Sequence, residues 1–317
     1  MPQLKLKALA KGLATYIPVL REYACRSSGG TVAAEYCYSV WLRHLVRAAG
    51  AGLDTSPAAV AERGPGDSFG IGLAAILTGA REYRAFDALP HANVDRNLAI
   101  FDDLVALFRR RAPIPNDEKY PLVFPRLKRY DFPALLLPEA RLAEALRPDR
   151  LAAIRGALRE EATVAGIRIT YAAPWNDRAV IEPASIDMVL SQAVLEHVED
   201  VHGTYAALGQ WLKAGGFMSH AIDFQSHGLT RDWNGHWTVS DRAWKLVRGR
   251  RPYLINRWAH SAHLAAIREA GFRVVTDERQ TGPRIAANAL APRYRSLCET
   301  DRETPSVFVQ AVRVDQV

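Results

Sequence analysis

Apolar positions recur at helical spacing over residues 5–24 and again over 33–50, where Tyr38, Trp41, Leu42, Leu45 and Val46 share one face. Two helices are therefore expected before the first strand. A short apolar run, AAVAE, comes next, followed by a turn from Gly64 to Ser68 and a helical stretch, FGIGLAAILTGA, closed by Gly79. EYRAFDAL reads as a second strand ending at Asp87. Beyond it the pattern predicts helices near 94–111 and 139–164, and strands at IRITYAA, IDMVLSQ, GFMSHAIDF, FRVVTDE and SVFVQAVRV. Alternation of this kind predicts an α/β fold, with a doubly wound, mostly parallel sheet of seven strands and helices on both faces.

The rhythm divides the chain into an N-terminal helical segment, residues 1–55, and one α/β domain, residues 56–317, with insertions at about 112–150 and 224–258. The proline-rich stretch 112–138 breaks the alternation and reads either as a cover over the ligand edge of the sheet or as a packed loop. Five aromatics between 233 and 258 (Trp233, Trp237, Trp244, Tyr253 and Trp258) suit a helical or loop lid, or an amphipathic cap packed on the sheet.

Composition narrows the class. Hydrophobic residues at 49% and charged residues at 24% are ordinary globular usage. The net charge of +7 is spread along the chain, so a nucleic-acid partner is not expected. Cys25, Cys37 and Cys298 are widely spaced, lack a Cys-x-x-Cys pair and read as reduced thiols. With no signal-like start and no apolar run of membrane length, a cytoplasmic location without a membrane span is the expectation.

The stretch VAERGPGDS carries the first chemistry. Glycines at 64 and 66 let a ligand approach the main chain, and the turn after the first strand of a doubly wound sheet is where a nucleotide moiety lies. Asp87 ends the second strand about twenty residues later, within reach of ribose hydroxyls. A dinucleotide needs a further glycine where this chain has Phe69, and the flanking Glu62 and Asp67 would repel a pyrophosphate. Those acids suit a ligand with a sulfonium and an amino group.

Together VAERGPGDS, Asp87, SIDMVLSQAVLEHVED and WLKAGGFMSHAIDF resemble, in order, the motifs of class I S-adenosylmethionine-dependent methyltransferases, in their small-molecule branch. The likeness extends over roughly residues 33–280. It implies a Rossmann-like fold and S-adenosylmethionine as cofactor. Glu62, Gly64, Gly66, Asp67 and Ser68 would hold the methionine end, Asp87 the ribose, and Ser191, Gln192 and Ala193 the cofactor floor. Asn176, or Asp177 beside it, would contact adenine. His197 would be a packed part of its motif, with Glu196 capping the next helix.

Methyl transfer to a hydroxyl needs alignment and a group to take the proton. Just past the fifth strand, SHAIDFQSHGLTRDWNGHW gathers His220, Asp223, His227, Asp232 and His236. Base, base orienter, metal ligand and loop polar residue are all roles open to them. The reading taken here makes His220 the general base, with Asp223 and His227 as its catalytic companions and no metal assigned. On a regular strand His220 and Asp223 face opposite sides, so this reading requires a turn between them. The resemblance implies O-methylation of a small molecule or glycan precursor, as in uncharacterised bacterial polysaccharide and secondary-metabolite cluster methyltransferases. An RNA or protein methyltransferase and a non-catalytic, cofactor-binding partner protein are the alternatives, and a homodimer is compatible with all three.

Overall fold

The computed structural model describes residues 3–19, 30–175, 180–251 and 253–314. Helix α1 (Leu6–Ala14) is shorter than the periodicity predicts, and α2 (Ala34–Gly50) matches it. Then follow β1 (Ala59–Arg63), α3 (Gly70–Leu77), β2 (Glu82–Phe86) and α4 (Val94–Arg109). The single helix expected over 139–164 is two, α5 (Glu139–Ala145) and α6 (Pro148–Glu160). Pro148 starts the second because proline tolerates the first helical turn and not an interior position.

The remaining elements are β3 (Thr163–Val164), β4 (Ile167–Ala172), β5 (Ile186–Gln192), α7 (Val201–Trp211), β6 (Leu212–Asp223), α8 (Asp241–Arg248), α9 (His260–Glu269), β7 (Phe272–Arg279), α10 (Glu299–Glu303) and β8 (Ser306–Arg313). One sheet takes all eight strands in the order β3-β4-β2-β1-β5-β6-β8-β7. The strand additional to the seven expected is β3, paired antiparallel to β4 through a two-residue turn. Ala165 and Gly166 both have positive φ there, as a tight primed turn requires, and Ala-Gly is a weak sequence signal for it.

Parallel pairing joins β4 to β2, β2 to β1, β1 to β5 and β5 to β6, while β8 runs against both β6 and β7. One buried layer packs α2, α3, α4 and α6 on the sheet, and another packs α7 and α9 on its opposite face. A sheet covered on both faces explains why β1 is buried along its whole length. Strand order reverses between β1 and β5, which puts the ligand crevice of such a fold at the carboxyl ends of those two strands.

Close packing of α3 on β2 depends on Gly72, where an added Cβ would fall inside the Tyr83 ring. Gly72→Ala is expected to cost about 3 kcal/mol, at the upper end for overpacking. Thermal unfolding monitored by circular dichroism should then shift down by roughly 4–5 °C, and an unchanged midpoint would show that the helix can slide.

Candidate active site

At the switch point lies a cavity of about 660 Å³, walled by the loops after β1, β2, β4 and β5 and by the start of α7. Its lining includes Arg63, Gly64, Gly66, Phe86, Asp87, Trp175, Gln192, Ala193, His197, His227 and Tyr253. Gly64 is at φ +68 and donates its N–H to the Phe86 carbonyl at 2.7 Å; a Cβ there would come within 2.5 Å of Val194. Asp87 accepts the N–H of Gly66 at 3.3 Å and that of Ala88 at 2.7 Å. Burial raises its pKa above the usual 3.8, and those amides pull it partly back.

Arg63 and Trp175 were not singled out as ligand-contacting side chains by the sequence reading. The guanidinium sits 3.7 Å from the Trp175 ring centroid and is nearly buried, which lowers its pKa to about 9 against the opposing pull of Asp87. Phe86 extends this aromatic wall, edge-on to Trp175. The available signal was the arginine immediately before the glycine turn, on the strand position opposite in facing to Glu62.

That alternation corrects several expected contacts. Glu62 faces α3, accepts the Tyr83 hydroxyl at 2.6 Å and lines neither this cavity nor the one beside it; burial pushes its pKa up to about 8. Asp67 accepts the Gly30 N–H at 2.9 Å, and Ser68 donates its hydroxyl to the Thr31 carbonyl at 2.5 Å. Both tie the segment preceding α2 to the loop and line neither cavity. At the end of β5, Gln192 and the following Ala193 line the cavity, whereas Ser191 points into the core and pairs with His220 Nδ1 at 2.8 Å. Asn176 and Asp177 lie outside the described residues.

His220 is displaced from its expected role. Strand β6 continues without a turn through Asp223, with His220 opposite Val309 and Asp223 opposite Ser306, so the two side chains diverge. The imidazole is fully buried beside Tyr205, outside both cavities, and burial, reinforced by His44, Arg63 and His263, lowers its pKa to about 3. It is a neutral core histidine. Asp223 instead meets His227, whose Nε2 lies 3.2 Å from Asp223 Oδ2.

A second cavity, of about 460 Å³, adjoins the first and shares Gln192, Ala193 and His227 with it. Its other walls come from Lys5, from Pro121, Leu122 and Phe124 of the proline-rich insertion, and from Asp223, Gln225, Arg231 and Trp233. The N-terminal segment is fastened to this wall by main-chain bonds from Lys5 to Leu229 and from Arg231 to Gln3. The aromatics of the second insertion divide: Trp233 and Tyr253 face cavities, while Trp237 and Trp244 fill small cores of their own.

At the junction, His197 lines the first cavity instead of being buried as packing, with its ring 5.0 Å from that of His227 and 5.7 Å from that of Tyr253. Burial and the neighbouring His227 lower its pKa to about 4. Glu196 does not cap α7; Asp200 does, accepting the Gly203 N–H at 2.8 Å. The Glu196 carboxyl is buried and its pKa is raised well above the usual range by burial and by Asp223. Gln192, shared by both cavities, is held from behind by His44 Nε2 at 3.1 Å and donates to the Phe124 carbonyl at 3.2 Å.

No protein-family model matches the sequence, and no curated protein matches it. Solved structures similar to this chain include methyltransferases. One is the methyltransferase in a complex with the Trm112 activator from Haloferax volcanii, at 12% identity and TM-score 0.43 over 88% of this chain and 91% of that one. Another is an S-adenosylmethionine-dependent methyltransferase from Mesorhizobium loti, at 17% identity and TM-score 0.40 over 81% and 91%. A third, described as a sarcosine dimethylglycine methyltransferase from Galdieria sulphuraria, has 11% identity and TM-score 0.44 over 94% and 89%. Among the described residues no helix is long and apolar enough to cross a membrane.

Proposed function

We propose that this protein is an S-adenosylmethionine-dependent methyltransferase, with the cofactor in the larger cavity and a small anionic acceptor in the smaller one. The observation that carries the reading is the meeting of the two cavities at Gln192, Ala193 and His227, directly beyond the carboxyl ends of β1 and β5. Transfer from sulfonium is an in-line displacement, and its main requirement is that donor and nucleophile enter one passage from opposite ends. Asp87 suits the ribose hydroxyls, Phe86 and Trp175 an adenine ring, and the main chain at Gly64 and Gly66 a close approach by the rest of the cofactor.

Lys5 and Arg231 on the acceptor side favour a negatively charged substrate, and a cavity of that size suits a small molecule. A phosphorylated glycan precursor methylated on oxygen fits both properties. His227, oriented by Asp223, is the group at the junction that would activate the acceptor hydroxyl.

Calorimetric titration with S-adenosylhomocysteine tests the cofactor half. Micromolar binding is expected, and Asp87→Ala should weaken it by about 10–100-fold through loss of charge-assisted hydrogen bonds. Failure of the unsubstituted protein to bind would overturn the reading. Transfer of labelled methyl to sugar nucleotides, compared with uncharged sugars, tests the acceptor half.

A further inference from the structure

We propose that Glu196, His197 and His227 hold one divalent transition-metal ion at the junction of the two cavities. One ligand atom from each lies within 4.8 Å of the others. Glu196 and His197 come from a single helical turn, Leu195–His197, directly after β5, and His227 comes from the loop after β6. The site is thus built beside the switch point, from the segments that follow two neighbouring strands, β5 and β6.

Unmet hydrogen-bonding capacity within the cluster provides a second, independent observation. Glu196 is 2% exposed, and neither carboxyl oxygen has a hydrogen-bond partner among the described residues. The amides of Glu196 itself and of Asp223 lie near it without reaching bonding geometry. His197 Nδ1 is likewise buried and unpartnered. Leaving such groups unmatched is destabilising, and more so for a charge, so they persist where a ligand completes them. A cation bound by the carboxylate and imidazoles would satisfy both.

The surroundings fit a ligating histidine. Nε2 of His227 lies 3.2 Å from Asp223 Oδ2, so the tautomer protonated there would leave Nδ1 for an ion, an arrangement in which a carboxylate orients a metal-bound imidazole. His227 adopts φ +48, followed by Gly228 at φ +73, a left-handed turn that a non-glycine residue enters at some cost. One carboxylate and two imidazoles favour Mn²⁺, Fe²⁺, Co²⁺ or Zn²⁺ over Mg²⁺ or Ca²⁺, which prefer oxygen. Three protein ligands leave coordination positions open. Resting on the methyltransferase reading, the ion's role would be to bind the acceptor hydroxyl and lower its pKa, with His227 acting as ligand.

The test is titration of chelator-stripped protein with Mn²⁺, followed by the loss of the free-ion paramagnetic resonance signal. One equivalent should bind with micromolar affinity, and His227→Ala and Glu196→Gln should each weaken it by at least about 10-fold, with Asp223→Asn giving a smaller loss. His227 is partly exposed, so its alanine variant should keep its fold even if Glu196→Gln does not. Millimolar binding, or binding unchanged in His227→Ala, would overturn the site. S-adenosylhomocysteine titrated into the same samples separates the two readings: Mn²⁺ binding without cofactor binding would support the metal site while removing the methyltransferase.

Discussion

Lowering the pH from about 7 to about 4 is expected to unfold this protein cooperatively. His44, His220, His236 and His263 are essentially fully buried. Burial, the first cause in each, lowers the pKa to about 4 for His44 and about 3 for the other three. In the unfolded chain the same imidazoles protonate near 6.5, so below that pH the unfolded state binds more protons and gains stability relative to the native one. The loss grows until the folded pKa values are reached. A tenfold change in a protonation constant is worth about 1.4 kcal/mol, so the four together amount to on the order of 10 kcal/mol, comparable with the whole stability of a domain. Glu62 acts with the opposite sign. Its folded pKa of about 8 lies above the usual 4.5, so its contribution is full below about 4.5 and is lost as pH rises through 8. Glu196 and Asp87, whose pKa values burial also raises, act with it, whereas His197, lowered to about 4, adds to the four imidazoles, and the acid side dominates. Tryptophan fluorescence and circular dichroism across this range would measure the transition, and native signal persisting at pH 4 would contradict neutral buried imidazoles.

Replacing His227 by alanine should lower methyl transfer by about 10²–10⁴-fold while leaving S-adenosylhomocysteine affinity little changed. The residue touches both cavities, but its side chain is 33% exposed and its polar partner is Asp223, on the acceptor side. Asp223→Asn should give a smaller loss, because it removes orientation rather than the imidazole. Single-turnover transfer with labelled cofactor, set beside calorimetry, distinguishes the outcomes. Equal losses of affinity and rate would assign His227 to the cofactor pocket, and full activity would move the acceptor elsewhere.

The parallel sheet and its switch point were legible in the sequence because each strand is a short apolar run bounded by turn residues. Gly64, Gly66, Asp87, Gln192 and Ala193 follow from that placement, and all line the larger cavity. What the sequence left ambiguous was facing. Glu62 and Ser191 are each one residue from a cavity-lining side chain, and on a strand one residue decides between cavity and core. The His220 reading depended on a turn that β6 does not make, since pairing with β8 carries the strand straight through Asp223. Sequence spacing gives no measure of whether Glu196 is partnered, because its neighbours come from the loop after β6. The contact of Trp175 with Arg63 joins ends of strands far apart in the chain, which spacing along the sequence does not show.

The two cavities are walled by different parts of the chain. Strand ends, fixed by the core, surround the larger one, whereas Lys5, residues 121–124 and residues 225–233 supply much of the smaller one from outside the sheet. If the proposed function holds, donor binding and acceptor choice are therefore separable in inheritance and in the laboratory. On that reading, exchanging those outer segments as a matched set should retarget the protein to a new acceptor while the cavity proposed to present the methyl group stays intact.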